Sequence, residues 1–173
     1  MLYTPLTNRA LELCFEAHKN QKDKGGIPYV FHPFHLAEQM ETEEEICVAL
    51  LHDVVEDTEK TLDDIVREGF PRQVTDALAL LTHDDGTPYL DYVARLKNNP
   101  IAAKVKLADL RHNSTPGRLS GRKTDTTVLS RMQKYLCAQA ILTGGDADLE
   151  NMCLYIVKDG CRVCLSPDGR ILL

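Results

Sequence analysis

The stretch Ala49-Leu50-Leu51-His52-Asp53-Val54-Val55-Glu56-Asp57 sets an imidazole and three carboxylates into an otherwise apolar run. Unpaired polar and charged groups are costly to bury, so a buried helix of this composition calls for a compensating partner. A divalent metal ion suits imidazole and carboxylate together. At helical spacing His52 and Glu56 share one face, and Asp53 and Asp57 share another about 100° around the axis. One helix can thus bind a metal and aim further carboxylates beside it.

The remaining ligands come from elsewhere in the chain. His32 lies between Phe31 and Pro33, and Asp109 closes the segment Val105-Lys106-Leu107-Ala108-Asp109. His32, His52, Asp53 and Asp109 form a mixed N/O set, which suits Mn²⁺, Fe²⁺, Zn²⁺ or Mg²⁺ with positions left open and differs from thiolate-rich structural zinc. An open position points to hydrolysis. Lys106, Asp109 and Asn113 fall at i, i+3 and i+7, so a cation, a metal-type ligand and an amide share one helical face, as a phosphate-ester site requires.

Around these residues the pattern is helical. Thr4 and Pro5 read as an N-cap and first helical residue, with a stripe of Leu6, Ala10, Leu13 and Ala17 running to about Asn20. The loop from Lys22 to Pro28 delivers Tyr29-Val30-Phe31-His32 to a second helix beginning near Pro33, and a third helix spans about Glu43 to Asp57. Thr61 to Asp64 resembles a capping box, Pro71 and Pro88 restart helices, and Asp109 falls on the helix after Pro100. A basic, Gly/Ser-containing stretch from Ser114 to Lys123 precedes a last helix from Asp125 to Leu142. Leu154 to Val157, Cys161 to Leu165 and Arg170 to Leu173 read as a small β-meander. The expected architecture is an all-α helical bundle over residues 1–145 with a β-meander appendage over 146–173.

A chain of 173 residues, 43% hydrophobic and 27% charged, is long enough to bury one sizeable core. Its net charge of −6 argues against a broad nucleic-acid or anionic-membrane surface, so any phosphate binding must be local. The opening residues carry no signal-peptide pattern and no apolar run approaches a membrane span, which points to the cytoplasm. Cys14, Cys47 and Cys137 fall at apolar helical positions, and Cys161 and Cys164 would face opposite sides of a strand, so neither a disulfide nor a zinc reading is favoured. His18 reads as the flank of an amphipathic helix, His35 as a surface histidine or a support for the ligands, and His83 to Gly86 as turn chemistry.

The ordered set Pro28-Tyr29-Val30-Phe31-His32-Pro33, Leu51-His52-Asp53-Val54-Val55-Glu56-Asp57-Thr58 and Lys106-Leu107-Ala108-Asp109-Leu110-Arg111-His112-Asn113 resembles the HD-domain hydrolases. More narrowly it is similar to the hydrolase domain of the RelA/SpoT enzymes and the free-standing small alarmone hydrolases, over roughly residues 5 to 142. The resemblance implies an HD-domain bundle in which His32, His52, Asp53 and Asp109 bind Mn²⁺, Glu56 and Asp57 form the acid/base pair, and Asn113 contacts a nucleotide. It implies removal of pyrophosphate from the 3′ position of guanosine tetra- or pentaphosphate, with Lys24, Tyr29 and Lys106 on the substrate side.

Two stretches depart from the family pattern. Asp23-Lys24 stands where the family tends to have Arg-Lys, and Leu110-Arg111-His112-Asn113 where it usually has Arg-Leu-His-Asn. Two alternatives stay open: an HD phosphohydrolase acting on a nucleoside monophosphate, NADPH or another phosphorylated metabolite, and a non-catalytic HD module that binds a nucleotide or partner. Glu56-Asp57 speaks against the second, since pure binding needs no acid/base pair.

Overall fold

The computed structural model describes residues 1–84, 86–115 and 126–144, and the backbone of 154–158, 161–165 and 171–172. Its helices are α1 (Pro5–His18), α2 (Phe31–Ala37), α3 (Glu43–Glu56), α4 (Leu62–Arg67), α5 (Arg72–Leu81), α6 (Tyr89–Leu96), α7 (Pro100–Asn113) and α8 (Thr126–Thr143). Three of them open on reciprocal capping boxes. Thr4 with Thr7, Thr42 with Glu45 and Thr61 with Asp64 each satisfy orphan amides at a helix start. Asn99 caps α7 through the amide of Ala102, and Pro100 follows it in the first turn.

The core is built around α3. Ile46, Cys47, Val48, Ala49, Leu50, Leu51 and Val54 are fully buried, because α1, α2, α5 and α7 all pack against this helix. A helix apolar nearly all round belongs in the middle of a bundle. Each fully buried Leu or Ile contributes about 1.5–3 kcal/mol. That burial carries His52 and Asp53 inward with their neighbours, to 3% and 7% exposure. The ionisable pair is thus held on a rigid axis where water cannot satisfy it. α8 packs on α6 and α7.

β1 (Leu154–Lys158), β2 (Cys161–Leu165) and β3 (Ile171–Leu172) pair antiparallel in chain order, with Leu154 opposite Leu165 and Cys164 opposite Leu172. Among the described residues no helix is long and apolar enough to cross a membrane.

Several boundaries differ from the sequence reading. α1 stops at His18 rather than near Asn20. α2 begins at Phe31, ahead of Pro33, so that His32 lies inside its first turn. Proline is tolerated there because its missing N–H belongs to the set a helix start leaves unpaired, and the amide of His32 already bonds the carbonyl of Tyr29 at 2.8 Å. Pro71 and Pro88 act as caps immediately before α5 and α6. The basic residues Arg118, Arg122 and Lys123 and the side chains of Cys161 and Cys164 lie outside the described residues.

Candidate metal and phosphate site

Three helices bring four side chains to one buried point. α2 supplies His32, α3 supplies His52 and Asp53, and α7 supplies Asp109, all under one-tenth exposed. His32 Nε2 lies 3.2 Å from Asp109 Oδ1 and 3.5 Å from Asp53 Oδ2, and His52 Nε2 lies 3.0 Å from Asp53 Oδ1. Ligand atoms of His32, His52 and Asp109 fall within 4.8 Å of one another, with Asp53 against both imidazoles.

The donor chemistry fits a divalent ion. His52 Nδ1 donates to the carbonyl of Ala49 at 2.8 Å, which fixes the tautomer and turns the Nε2 lone pair inward. That nitrogen is buried with no hydrogen-bond partner; Asp53 Oδ1 is near it but not aligned as one. A buried ring nitrogen facing carboxylates, with the other ring nitrogen held by a backbone bond, is the arrangement of a metal-ligating histidine once its proton is displaced. The electrostatics agree. Burial opposes charge on His52, yet Asp53 and Asp109 outweigh it and raise the imidazole to about 9. Burial likewise opposes charge on Asp53, but His52 and His32 hold its carboxyl at about 2. Asp109 is held well below the usual carboxylate range despite its burial, by Lys106 and the two histidines. The point favours positive charge.

Glu56 and Asp57 stand at the end of α3 on the wall of an adjoining cavity of about 510 Å³. Both reach its accessible surface, while the protein packed around them pushes their carboxyls upward, with the Asp53 charge adding to the push. Carboxyls raised in this way hold a proton more readily than free ones, as an acid/base group requires.

The residues expected on the substrate side all line this cavity, and three of them also hold the metal-type carboxylates. The Tyr29 hydroxyl donates to Asp53 Oδ2 at 2.7 Å. Lys106 Nζ pairs with Asp109 Oδ2 at 2.9 Å, and Asn113 Nδ2 donates to Asp109 Oδ1 at 2.5 Å. The i, i+3, i+7 spacing therefore does bring Lys106, Asp109 and Asn113 onto one face. Burial opposes the charge of Lys106, but Asp109 keeps it protonated. Lys24 sits on the rim, beside Lys22.

Asp23 has a role the sequence reading did not foresee. Its Oδ1 accepts from the amides of Gly25 and Ile27 at 2.8 and 3.0 Å, and Gly26 takes φ +87°. This is an Asx-type turn, in which the carboxylate shapes the loop that presents Lys22 and Lys24.

Other residues were missed. Arg131, Lys134 and Tyr135 of α8 and Tyr89 of α6 complete the cavity wall. Lys134 Nζ lies 4.3 Å from the centre of the Tyr89 ring, and its pKa is lowered by burial and by Arg131, Lys106 and Lys24. Cations gathered on one wall raise the local attraction for an anion. The only sequence signal was their i, i+3, i+4 spacing in a helix far from the motif. His112 was also passed over within its motif, and its Nδ1 meets His32 Nδ1 at 2.6 Å. His18 is fully buried rather than a helix flank, because the chain turns back over it after α1; its ring packs on Tyr29 at 5.1 Å and its Nδ1 meets Gln21 Oε1. His35 is exposed and packs on His112 at 4.3 Å.

The HD-domain family model matches residues 10–99, just over half of the chain, and this span contains His32, His52, Asp53, Glu56 and Asp57. The chain belongs to the HD-domain family. Among curated proteins it is 36% identical over 114 residues to guanosine-3′,5′-bis(diphosphate) 3′-pyrophosphohydrolase MESH1 of Mus musculus, covering 57% of this chain and 63% of that one. It is 33% identical over 113 residues to the guanosine-3′,5′-bis(diphosphate) 3′-pyrophosphohydrolase of Aquifex aeolicus (strain VF5), covering 58% of this chain and 16% of the relative. The chain thus spans under two thirds of the mouse protein and a small part of the bacterial one. A solved structure of a metazoan ortholog of SpoT, described as hydrolysing ppGpp, superposes with a TM-score of 0.59 at 20% identity, over 83% of this chain and 95% of that one. The HD-domain helical bundle is thereby shown, and its buried His/Asp group suits a divalent metal.

Proposed function

We propose that this HD-domain protein is a metal-dependent phosphohydrolase that removes the 3′-pyrophosphate of guanosine tetra- or pentaphosphate, giving GDP or GTP and pyrophosphate. The observation that carries the reading is a buried N/O donor cluster opening, beside two carboxyls of raised pKa, into a cavity rimmed by Lys22, Lys24, Arg131 and Lys134. The similarity to 3′-pyrophosphohydrolases over nearly three fifths of the chain supports the choice of substrate. We read residues 1–145 as the hydrolase unit and 146–173 as an appendage, acting in the cytoplasm on a small nucleotide rather than a nucleic acid or membrane.

His32, His52, Asp53 and Asp109 would hold the ion, with Mn²⁺ the favoured metal. When bound, such an ion lowers the pKa of water and polarises a phosphoryl oxygen. The chain's own residues do the rest. Glu56 and Asp57 form the acid/base pair: one carboxylate takes a proton from the water that attacks the phosphorus bonded to the ribose 3′ oxygen. That P–O bond breaks, and the 3′ oxygen leaves with a proton given by the other carboxyl, while the attacking oxygen stays on the released pyrophosphate. Lys24 and Lys106 offset phosphate charge, and Tyr29 and Asn113 orient the nucleotide while steadying Asp53 and Asp109.

Asp23 in place of a nucleotide-holding arginine favours a second reading, hydrolysis of another phosphorylated nucleotide, although its bonds to Gly25 and Ile27 turn part of its charge toward the loop. Incubation with Mn²⁺ and guanosine tetraphosphate, beside nucleoside monophosphates and NADPH, separates the two. The proposal expects GDP and intact pyrophosphate. Release of monophosphate alone, or turnover confined to another nucleotide, moves the assignment to the second reading, and metal binding without any turnover makes the protein a binding module.

A further inference from the structure

We infer that His112 is a positioning residue for the metal site, accepting the Nδ1 proton of His32 and so holding the His32 Nε2 lone pair toward Asp53 and Asp109. The inference rests on the metal reading of the site and is independent of the nucleotide substrate.

The two Nδ1 atoms are 2.6 Å apart, so a single proton must lie between them. The rings are within 10° of parallel, with centres 4.9 Å apart. That separation equals the N···N distance plus about one ring radius on each side, so the imidazoles lie edge to edge in nearly one plane rather than face to face. This is in-plane hydrogen-bond geometry, the strongest an imidazole pair can adopt.

The direction of the bond follows from the other side of His32. Its Nε2 faces two carboxylates at 3.2 and 3.5 Å, where a metal ligand needs a lone pair. The ring proton must then sit on Nδ1, and His112 Nδ1 must accept it. His112 is half-buried on α7, one turn beyond Asp109, and its ring is backed by His35 at 4.3 Å. The same helix thus supplies one metal-type carboxylate and the group that sets the tautomer of a ligand on another helix.

The environment explains why His32 needs this partner when His52 does not. His52 is enclosed, and a backbone carbonyl fixes its tautomer. His32 and His112 instead form part of a second cavity of about 390 Å³, whose walls include Phe31, Phe34, His35 and Glu38. Without His112, the Nδ1 edge of His32 would open on that space, and solvent could stabilise either tautomer.

The test is Mn²⁺ affinity of the full chain, measured by calorimetry without nucleotide, for wild type, His112→Leu and His112→Asn. Asparagine places an oxygen acceptor near the position of Nδ1, whereas leucine removes the acceptor and keeps bulk. The Leu variant should bind Mn²⁺ about 10–100-fold more weakly, the range for losing a supporting partner of a ligand, and Asn should restore most of that loss. Equal affinity for all three overturns the inference alone; no Mn²⁺ binding by wild type overturns the metal reading with it. Should the Leu variant fail to fold, histidine ¹⁵N NMR of Zn²⁺-loaded wild type decides: a proton on His32 Nδ1 supports the inference, and a proton on Nε2 contradicts it.

Discussion

The floor of the cavity and its rim are built on different principles. On the floor, His32, His52, Asp53, Lys106 and Asp109 are nearly excluded from solvent, with His32 of α2 meeting Asp53 of α3 and Asp109 of α7, and with Lys106 paired to Asp109. The rim presents Lys22 and Lys24 from a loop and Arg131 and Lys134 from α8, where like charges face one another across solvent. A buried, mutually dependent cluster is intolerant of change in any member. A rim of cations drawn from a loop and from α8 tunes attraction and selectivity, and can vary one residue at a time. On the proposed function, the floor would carry the phosphate chemistry and the rim would select the phosphate compound.

The sharpest break between the two regions comes from removing a floor carboxylate. Asp53→Ala should retain helical circular dichroism yet lose its divalent metal, with elemental analysis falling from about one ion per chain to near zero and turnover lost with it. Glu56→Ala and Asp57→Ala stand between floor and rim. Each should keep metal content near wild type while lowering turnover by roughly 10²–10⁴-fold, the range for a positioned acid or base. Full turnover in both variants would remove their assigned role.

Protons should compete with the metal on the floor. The metal-free His52 imidazole is raised to about 9, so at neutral pH it carries a proton that must leave before Nε2 can bind. Lowering the pH keeps that proton on, so Mn²⁺ affinity should fall about tenfold for each unit below about 9, with proton release visible as buffer-dependent heats in calorimetry. A pH-independent affinity between 6 and 8 would contradict this. The smallest effect belongs to the rim. Lys134→Met and Arg131→Met should each raise KM roughly tenfold and leave kcat and metal content unchanged, the cost of one charge-assisted phosphate contact; steady-state kinetics at two salt concentrations would check it.

The same contrast explains what the sequence revealed. His52-Asp53 and Glu56-Asp57 stood out because an apolar helix rarely carries ionisable groups without cause, and His32 and Asp109 completed a recognisable donor set. Helical periodicity and capping residues such as Thr42 and Asn99 marked the elements that position them. Arg131 and Lys134 gave no such signal, since an exposed cation on an amphipathic helix is the ordinary case; only the packing of α8 against α6 and α7 gives them a shared cavity. His112 and His18 were hidden for the opposite reason, being single histidines whose partners, His32 and Tyr29, lie on other segments. Asp23 stands in the sequence as an acid where the family tends to have arginine, and only its bonds to Gly25 and Ile27 show that it shapes a turn.

On this reading four side chains from three helices hold one divalent ion. Anomalous diffraction from crystals of the Mn²⁺-loaded protein tests it most directly. A single strong peak within about 2.0–2.4 Å of His32 Nε2, His52 Nε2 and carboxylate oxygens of Asp53 and Asp109 is the expected result. A peak elsewhere, or a loaded structure in which these four side chains point into separate regions, would contradict the account.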